Sequence, residues 1–157
     1  NEINAFCLSG GKIGVLTGSI TKINATDDEL AALIGHEIAH ALRDHGREKV
    51  SKKLLTGLGV LAASSAGLGD MVVSGTSLLG DYGVNLPGSR KLESEADLLG
   101  VDIMVRAGYN PQGAISFWNK VVAQEKQGTK IDFLSTHPTS EKRIVAIQDY
   151  INQNYRK

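Results

Sequence analysis

The spacing of hydrophobic and polar positions changes near residue 26 of this chain. Before that point, Asn4 to Leu8 is a short apolar run, Ser9-Gly10-Gly11 is a turn signal, and Ile13, Val15 and Leu16 resume the run until Gly18. Two short apolar stretches around a glycine turn predict a β-hairpin. One strand of that hairpin is expected to border a cleft, where an extended peptide can pair with its backbone. From Asp27 the apolar positions adopt a helical period. Leu30, Leu33, Ile34, Ile38, Ala41 and Leu42 predict a buried stripe on a helix from about Asp27 to His45. Thr26-Asp27-Asp28-Glu29 has the form of a capping box, with Thr26 as N-cap and Glu29 at the third helical position. Gly46 is the expected stop.

Arg47 to Lys53 is polar and basic and continues the helical pattern, whereas Leu54 to Gly69 contains no charged residue. That second stretch is too short and too interrupted for a membrane span, which needs about 20 apolar residues. The expectation for residues 54–88 is one or two glycine-loosened helices over the core, with a mobile portion near Gly75 to Gly88. The sharper alternative is a lid over a cleft or a segment that touches lipid. Ser89 to Ala107 predicts a second long helix, with Leu92, Ala96, Leu99, Ile103 and Val105 as apolar positions and Gly108 as its end. Asn110-Pro111 opens a third, with Asn110 as N-cap and Pro111 at the first position. It carries Ile115, Trp118, Val121 and Val122 and frays by Gly128. Ser135-Thr136-His137-Pro138 is expected to open a last helix that buries Ile144, Ile147 and Ile151. No internal repeat or low-complexity tract is present. The fold class is α+β, mainly helical, with a small N-terminal sheet or hairpin.

Composition narrows the field further. The 157 residues are 41% hydrophobic and 22% charged, which fits a single globular domain over residues 1–157. Formal net charge is zero, so no electrostatic signal favours nucleic acid or an anionic membrane surface. One cysteine, Cys7, excludes an internal disulfide, and a lone cysteine is more often a small buried apolar residue than a reactive thiol. The chain begins at Asn1. It reads as a fragment of a longer precursor, and membrane proximity through an N-terminal anchor outside these residues is an expectation.

Chemistry is concentrated at His36-Glu37-Ile38-Ala39-His40. Two histidines four apart on a helix differ by about 40° around the axis, so both imidazoles leave one face. That is the geometry two zinc ligands need. Glu37 lies about 100° away from His36 and can reach a metal-activated water without filling a coordination position. H-E-x-x-H on a helix is a zinc-protease signature for this reason. The bland alternative is a surface helix with solvated histidines, and the apolar context argues against it, since buried polar groups need partners.

A catalytic zinc takes three protein ligands and keeps one position for water. A third histidine six residues after the second would follow the metzincin pattern, but Arg43 and Gly46 stand where glycine and histidine are required. His45, five after His40, points off the ligand face and reads as a surface or helix-end histidine. The alternative source is Glu93-Ser94-Glu95-Ala96-Asp97 on the second long helix. Glu93 and Asp97 share a face. The preferred division is Glu93 as third ligand and Asp97 beneath it, accepting the free ring N–H of a ligating histidine. Glu95 remains the rival ligand, and a solvated acidic face is the bland alternative. His137-Pro138 can aim an imidazole into a cleft to donate to an oxyanion, and Arg143 can pair with Asp97 or with substrate backbone. A helix-capping histidine explains His137 equally well.

The ordered set resembles a known family. It comprises Asn4-Ala5-Phe6 with the following Gly-Gly, His36 to His40, Ser89-Arg90 leading into Glu93 to Asp97, Ala107-Gly108-Tyr109-Asn110-Pro111, and His137-Pro138 with Arg143. This order is similar to the gluzincin zinc metallopeptidases that include the CAAX prenyl endopeptidases, the membrane heat-shock protease HtpX and bacterial periplasmic relatives such as BepA. The resemblance runs from about Asn4 to about Ile144. It implies a zincin-like fold, His36, His40 and Glu93 as metal ligands, Glu37 as general base and Asp97 as the supporting carboxylate. It also implies that His137 and Arg143 help at the transition state. It further implies one Zn2+ per chain, a protein or peptide substrate, and a bacterial periplasmic or membrane-associated envelope location. The expected function is zinc-dependent endoproteolysis of misfolded or envelope proteins, with Glu37 taking a proton from zinc-activated water. The alternative is a non-proteolytic zinc-containing chaperone or assembly module, in which a fourth protein ligand closes the site, His137 being the residue to suspect.

Overall fold

The computed structural model describes residues 2–8, 10–45, 87–129, 131, 133–134, 137–139 and 141–155, with the backbone alone at 87–89. The expected stop at Gly46, the continuation to Lys53, the lid or lipid-contacting segment of 54–86, and the helix opening at Ser135-Thr136 lie outside these residues.

The N-terminal hairpin forms as its pattern predicts. Strand β1 (Ala5–Leu8) pairs antiparallel with β2 (Lys12–Val15), Ala5 facing Val15 and Leu8 facing Lys12. Gly10 and Gly11 turn the chain at φ of 83° and 74°, a region that only glycine enters at no cost. The short helix α1 (Thr17–Thr21) was not expected, because Gly18 reads as a strand end. It is held by a tertiary contact with no periodic signal. The buried Ser19 hydroxyl donates to the Asn4 carbonyl and accepts from the Asn4 N–H, each at 2.9 Å.

Helix α2 (Asp27–Leu42) begins on the predicted capping box. Thr26 Oγ1 accepts from the Glu29 N–H at 3.3 Å, and the Glu29 carboxylate accepts from the Thr26 N–H at 2.8 Å. Glu29 is itself buried and receives Lys120 Nζ at 2.8 Å and the Ser116 hydroxyl, which fastens a later helix to this end. Burial would raise the Glu29 pKa, but those donors outweigh it and hold the carboxyl below its usual range. α2 ends earlier than expected, because Asp44 takes a left-handed φ of 53° and turns the chain.

The buried face of α2 also differs from the apolar stripe. Ala32, Leu33, Gly35, His36, Glu37, Ala39 and His40 face inward, while Ile34 and Leu42 are exposed. The reason is how α2 meets helix α3 (Pro87–Arg106), which starts two residues before the expected Ser89. A Cβ on Gly35 would lie 2.7 Å from the Gly100 carbonyl oxygen, and one on Gly100 would lie 2.9 Å from the His36 backbone nitrogen. The helices touch backbone to backbone there, so the small and polar side of α2 turns inward. Leu30, Ile34 and Ile38 instead line a shallow apolar hollow with Ile103, Met104 and Tyr109, bordered by none of the candidate ligands.

α3 ends in a left-handed glycine cap, with Gly108 N–H bonded to Val105 O at 2.9 Å and Tyr109 N–H to Met104 O at 3.0 Å. Helix α4 (Gln112–Lys126) follows, the Asn110 side chain accepting from the Gln112 N–H at 3.0 Å. Helix α5 (Glu141–Asn154) is the last element. His137 and Pro138 precede it, and the proline disfavours helical geometry at His137. Leu33, Val101, Met104, Phe117, Trp118, Val121, Phe133, Ile147 and Ile151 form one core. α2 packs on α3, α4 and β1, and α5 closes against α3 and α4. Asp102 on α3 accepts the Tyr150 and Tyr155 hydroxyls and ties α5 in place. Among the described residues, no helix is long and apolar enough to cross a membrane.

The glycine crossing gives a direct expectation. Gly100→Ala forces a methyl against rigid backbone and should destabilise the fold by roughly 1–3 kcal/mol. A lowered urea midpoint at unchanged slope is the expected result, and an unchanged midpoint would remove the close contact from the account.

Candidate metal centre

Four donors converge between α2, α3 and the segment before α5. His36 and His40 project from α2, Glu93 from the second turn of α3, and His137 from the position before Pro138, its N–H bonded to the Phe133 carbonyl at 2.8 Å. All four are buried, Glu93 completely. His36 Nε2 lies 3.0 Å from His40 Nε2 and 3.2 Å from Glu93 Oε2. Glu93 Oε1 is 3.4 Å from His40 Nε2. His137 Nδ1 is 3.0 Å from Glu93 Oε2 and 3.2 Å from His36 Nε2.

These separations test whether the residues suit a metal. Zinc–nitrogen and zinc–oxygen bonds near 2.0–2.1 Å set tetrahedral donor–donor distances of about 3.3 Å. The contacts above span 3.0–3.4 Å. Two imidazole nitrogens brought this close need either a proton or a cation between their lone pairs. The donor set, two imidazoles and a carboxylate with a further imidazole at the fourth corner, fits one borderline divalent cation.

Each α2 histidine is held from behind. His36 Nδ1 lies 3.0 Å from Asp97 Oδ1. Arg143 in turn grips Asp97 with both prongs, Nε to Oδ2 at 2.7 Å and Nη2 to Oδ1 at 2.8 Å. Arg143 Nη1 donates to the Pro138 carbonyl at 2.6 Å, and the guanidinium sits 4.5 Å over the Trp118 ring. Behind His40, Nδ1 lies 2.9 Å from His45 Nδ1. Aromatic rings wall the remaining side. Phe133 stacks on His137 at 4.5 Å and on Trp118 at 5.6 Å, and Trp118 meets the His36 ring edge at 5.7 Å.

The electrostatics follow from this packing. Burial alone would lower the His36 pKa, but hydrogen bonds to Asp97 and Glu93 and their charges push it up to about 9. Burial dominates at His40 and, with the neighbouring imidazoles, takes it down to about 4 despite Glu93. Burial would raise Glu93 and Asp97. Hydrogen bonds from His137, His36 and His40 instead hold Glu93 far below the carboxylate range, and His36 with Arg143 lowers Asp97. Glu37 is buried on the neighbouring side of α2. Its Oε1 makes no hydrogen bond among the described residues and lies 3.4 Å from His137 Nε2. Cys7 is only half-buried, and burial with the Glu37 charge raises its thiol pKa.

The structure thus brings His36, His40, Glu93 and His137 together, with Asp97 and Arg143 directly behind and Glu37 alongside. Glu95, the rival carboxylate, points elsewhere, to Arg43 Nε at 2.9 Å. His45 differs from its reading as a surface residue: it is 1% exposed and packs on His40. The turn at Asp44 brings it back, a reversal that residue spacing on a continuous helix does not contain. The aromatic wall was also missed as part of the site. Trp118 read as an ordinary apolar position of its helix, and Phe133 carries no local signal.

The description Peptidase family M48 belongs to a family model that matches residues 1–151 of the chain. Mitochondrial metalloendopeptidase OMA1 of Schizosaccharomyces pombe is 37% identical over 150 residues, covering 94% of this chain and 43% of that protein. Metalloprotease LoiP of Escherichia coli strain K12 is 32% identical over 150 residues, covering 94% of this chain and 58% of that protein. Beta-barrel assembly-enhancing protease of the same strain is 29% identical over 163 residues, 98% of this chain and 33% of that protein. The chain therefore spans about half or less of the length of these relatives.

The raised His36 sets a pH dependence. In chelator-treated protein His36 is protonated at neutral pH, and a cation must displace that proton. Zinc affinity should therefore rise by about tenfold per pH unit from roughly 6.5 to about 9. The stability of the chelated protein should run the other way. A raised histidine contributes fully below its unfolded pKa, and that contribution is lost as pH rises through about 9. Chelator-competition titrations and thermal melts across this window check both signs, and a flat affinity profile would contradict the assignment.

Proposed function

We propose that this chain, which belongs to peptidase family M48, is the catalytic domain of a zinc-dependent metalloendopeptidase that cleaves misfolded or envelope proteins. The observation that carries this reading is the buried convergence of His36, His40 and Glu93 with Glu37 beside them. Zinc bound by that trio supplies a Lewis acid that polarises a peptide carbonyl and acidifies water. The remaining work falls to the chain itself. Glu37 takes a proton on its carboxylate and passes it to the leaving amine; its Oε1, without a hydrogen bond among the described residues, is free for that exchange. Asp97, held by Arg143, keeps the His36 proton on Nδ1 and leaves Nε2 for the metal. His137 donates a ring N–H to the oxyanion of the tetrahedral intermediate. Strand β1, packed on α2, offers backbone groups to an extended substrate. The relatives' names as metalloendopeptidase, metalloprotease and protease support the reaction. The name of the β-barrel assembly relative supports a bacterial envelope compartment, while the relatives named as mitochondrial favour an organelle instead.

One observation favours a second reading. His137 Nδ1 sits within the donor cluster, 3.0 Å from Glu93 Oε2. An imidazole there fills the corner that substrate needs, and the domain is then latent or acts as a non-proteolytic chaperone or assembly module.

Two variants separate these readings on unfolded casein. Glu37→Gln should keep its zinc stoichiometry and lose roughly 10²–10⁴-fold in turnover. Retained proteolysis would remove Glu37 from its role. His137→Ala should lower kcat by about 10²–10³-fold if the imidazole serves the oxyanion. A rise in activity on that substitution would assign His137 to closing the site.

A further inference from the structure

One buried titratable side chain beside the centre has no part in the reaction above. His45 is 1% exposed, and its ring meets that of His40 edge to face at 5.0 Å between centroids. We infer that His45 is a positioning residue, which accepts a hydrogen bond from His40 Nδ1–H and thereby fixes the tautomer and ring plane that present His40 Nε2 to the metal. The inference rests on His40 being a ligand.

An imidazole ligates through a nitrogen that carries no proton. His40 Nε2 is the nitrogen that faces the cluster, 3.0 Å from His36 Nε2 and 3.4 Å from Glu93 Oε1. The proton of neutral His40 must then sit on Nδ1, and whatever lies against Nδ1 must accept. What lies there is His45 Nδ1, at 2.9 Å. That atom accepts only if the His45 proton is on Nε2. The Glu95 charge favours this tautomer, its Oε2 lying 3.7 Å from His45 Nε2, longer than a hydrogen bond but close enough to attract a proton there. Arg43 Nε, 2.9 Å from Glu95 Oε1, holds that carboxylate in place. Along Arg43, Glu95, His45 and His40, this placement of protons is consistent with the distances given above.

The arrangement parallels the support of the other α2 histidine. His36 rests directly on Asp97, and Arg143 holds Asp97. His40 rests on a second imidazole, which stands between it and a partly exposed carboxylate held by Arg43. The turn at Asp44 makes the second support possible by ending α2 and bringing a residue five positions on back against the ligand. Glu95 thereby has a role although it lies outside the cluster: it sets the His45 tautomer.

Isosteric substitutions of His45 test this. Asn places its amide oxygen where Nδ1 stands and keeps an acceptor for His40. Gln is closer to histidine in size but carries its polar atoms at the position of Nε2. Zinc dissociation constants, measured by competition with a chromophoric chelator, should be close to wild type for His45→Asn and weaker by roughly 10–100-fold for His45→Gln. The visible spectrum of the Co2+-loaded protein should shift for Gln and not for Asn. Packing alone predicts the opposite order, because Gln fills the space better. Equal losses in both variants, or wild-type affinity in both, would overturn the inference. His40→Ala is the separate control: tight zinc binding by that variant would defeat the ligand reading itself, whatever the His45 pair shows.

Discussion

Everything at this centre answers to one buried carboxylate. Glu93 has no exposed surface, and an uncompensated charge at such a depth costs several kcal/mol. The fold surrounds it with three imidazoles, and the Arg143 guanidinium stands 3.7 Å away. Asp97, a second buried carboxylate, takes both prongs of that guanidinium. Without a cation, the balance is met by a proton on His36, whose pKa the carboxylates push up to about 9. A divalent cation held by these residues would take the place of that proton beside the same oxygens. The site is therefore built as a cavity for positive charge, and the histidines adapt their protonation to whatever fills it.

Backbone geometry makes that cavity narrow enough. Gly35 and Gly100 let α2 and α3 meet without side chains between them. Glu93 lies two turns before Gly100 and Asp97 one turn before it, on the α3 face turned to His36 and His40. A wider crossing would separate the imidazoles from the carboxylates by more than a metal can bridge. The cost is visible on α2, where Ile34 and Leu42 remain exposed because the inward face is given to small and polar residues. Local stability is recovered at the helix ends, through the capping box at Thr26, the Lys120 and Ser116 contacts to Glu29, and the tyrosines on Asp102.

The two α2 histidines are restrained by different means. Asp97 and Arg143 give His36 a buried ionic support, which responds little to solvent. His45 stands behind His40, and the carboxylate beyond it is partly exposed. Trp118 and Phe133 exclude water from the remaining side and fix the His137 ring by stacking. Substrate chemistry would then proceed on elements that have little freedom to move, apart from His137, which is on a non-helical segment before a proline.

The local part of this structure was legible in the residues. The capping box at Thr26, the glycine hairpin turn and the helix end at Gly108 depend on neighbours within a few positions and form where expected; α4 begins one residue past the expected Pro111, with the Asn110 side chain accepting from the Gln112 N–H. The shared face of His36 and His40 also forms as expected and follows from helical periodicity alone. The order of the motifs indicated the family because it samples the whole chain at once. What only the tertiary structure decided was which faces meet. Periodicity put Glu93 and Glu95 on opposite sides of α3 but could not say which side approaches α2; the Gly35–Gly100 contact decides that. It also could not place His45, α1 or the aromatic wall. Each of those depends on a chain reversal or a long-range contact, and the energy of such contacts is distributed over residues far apart in sequence.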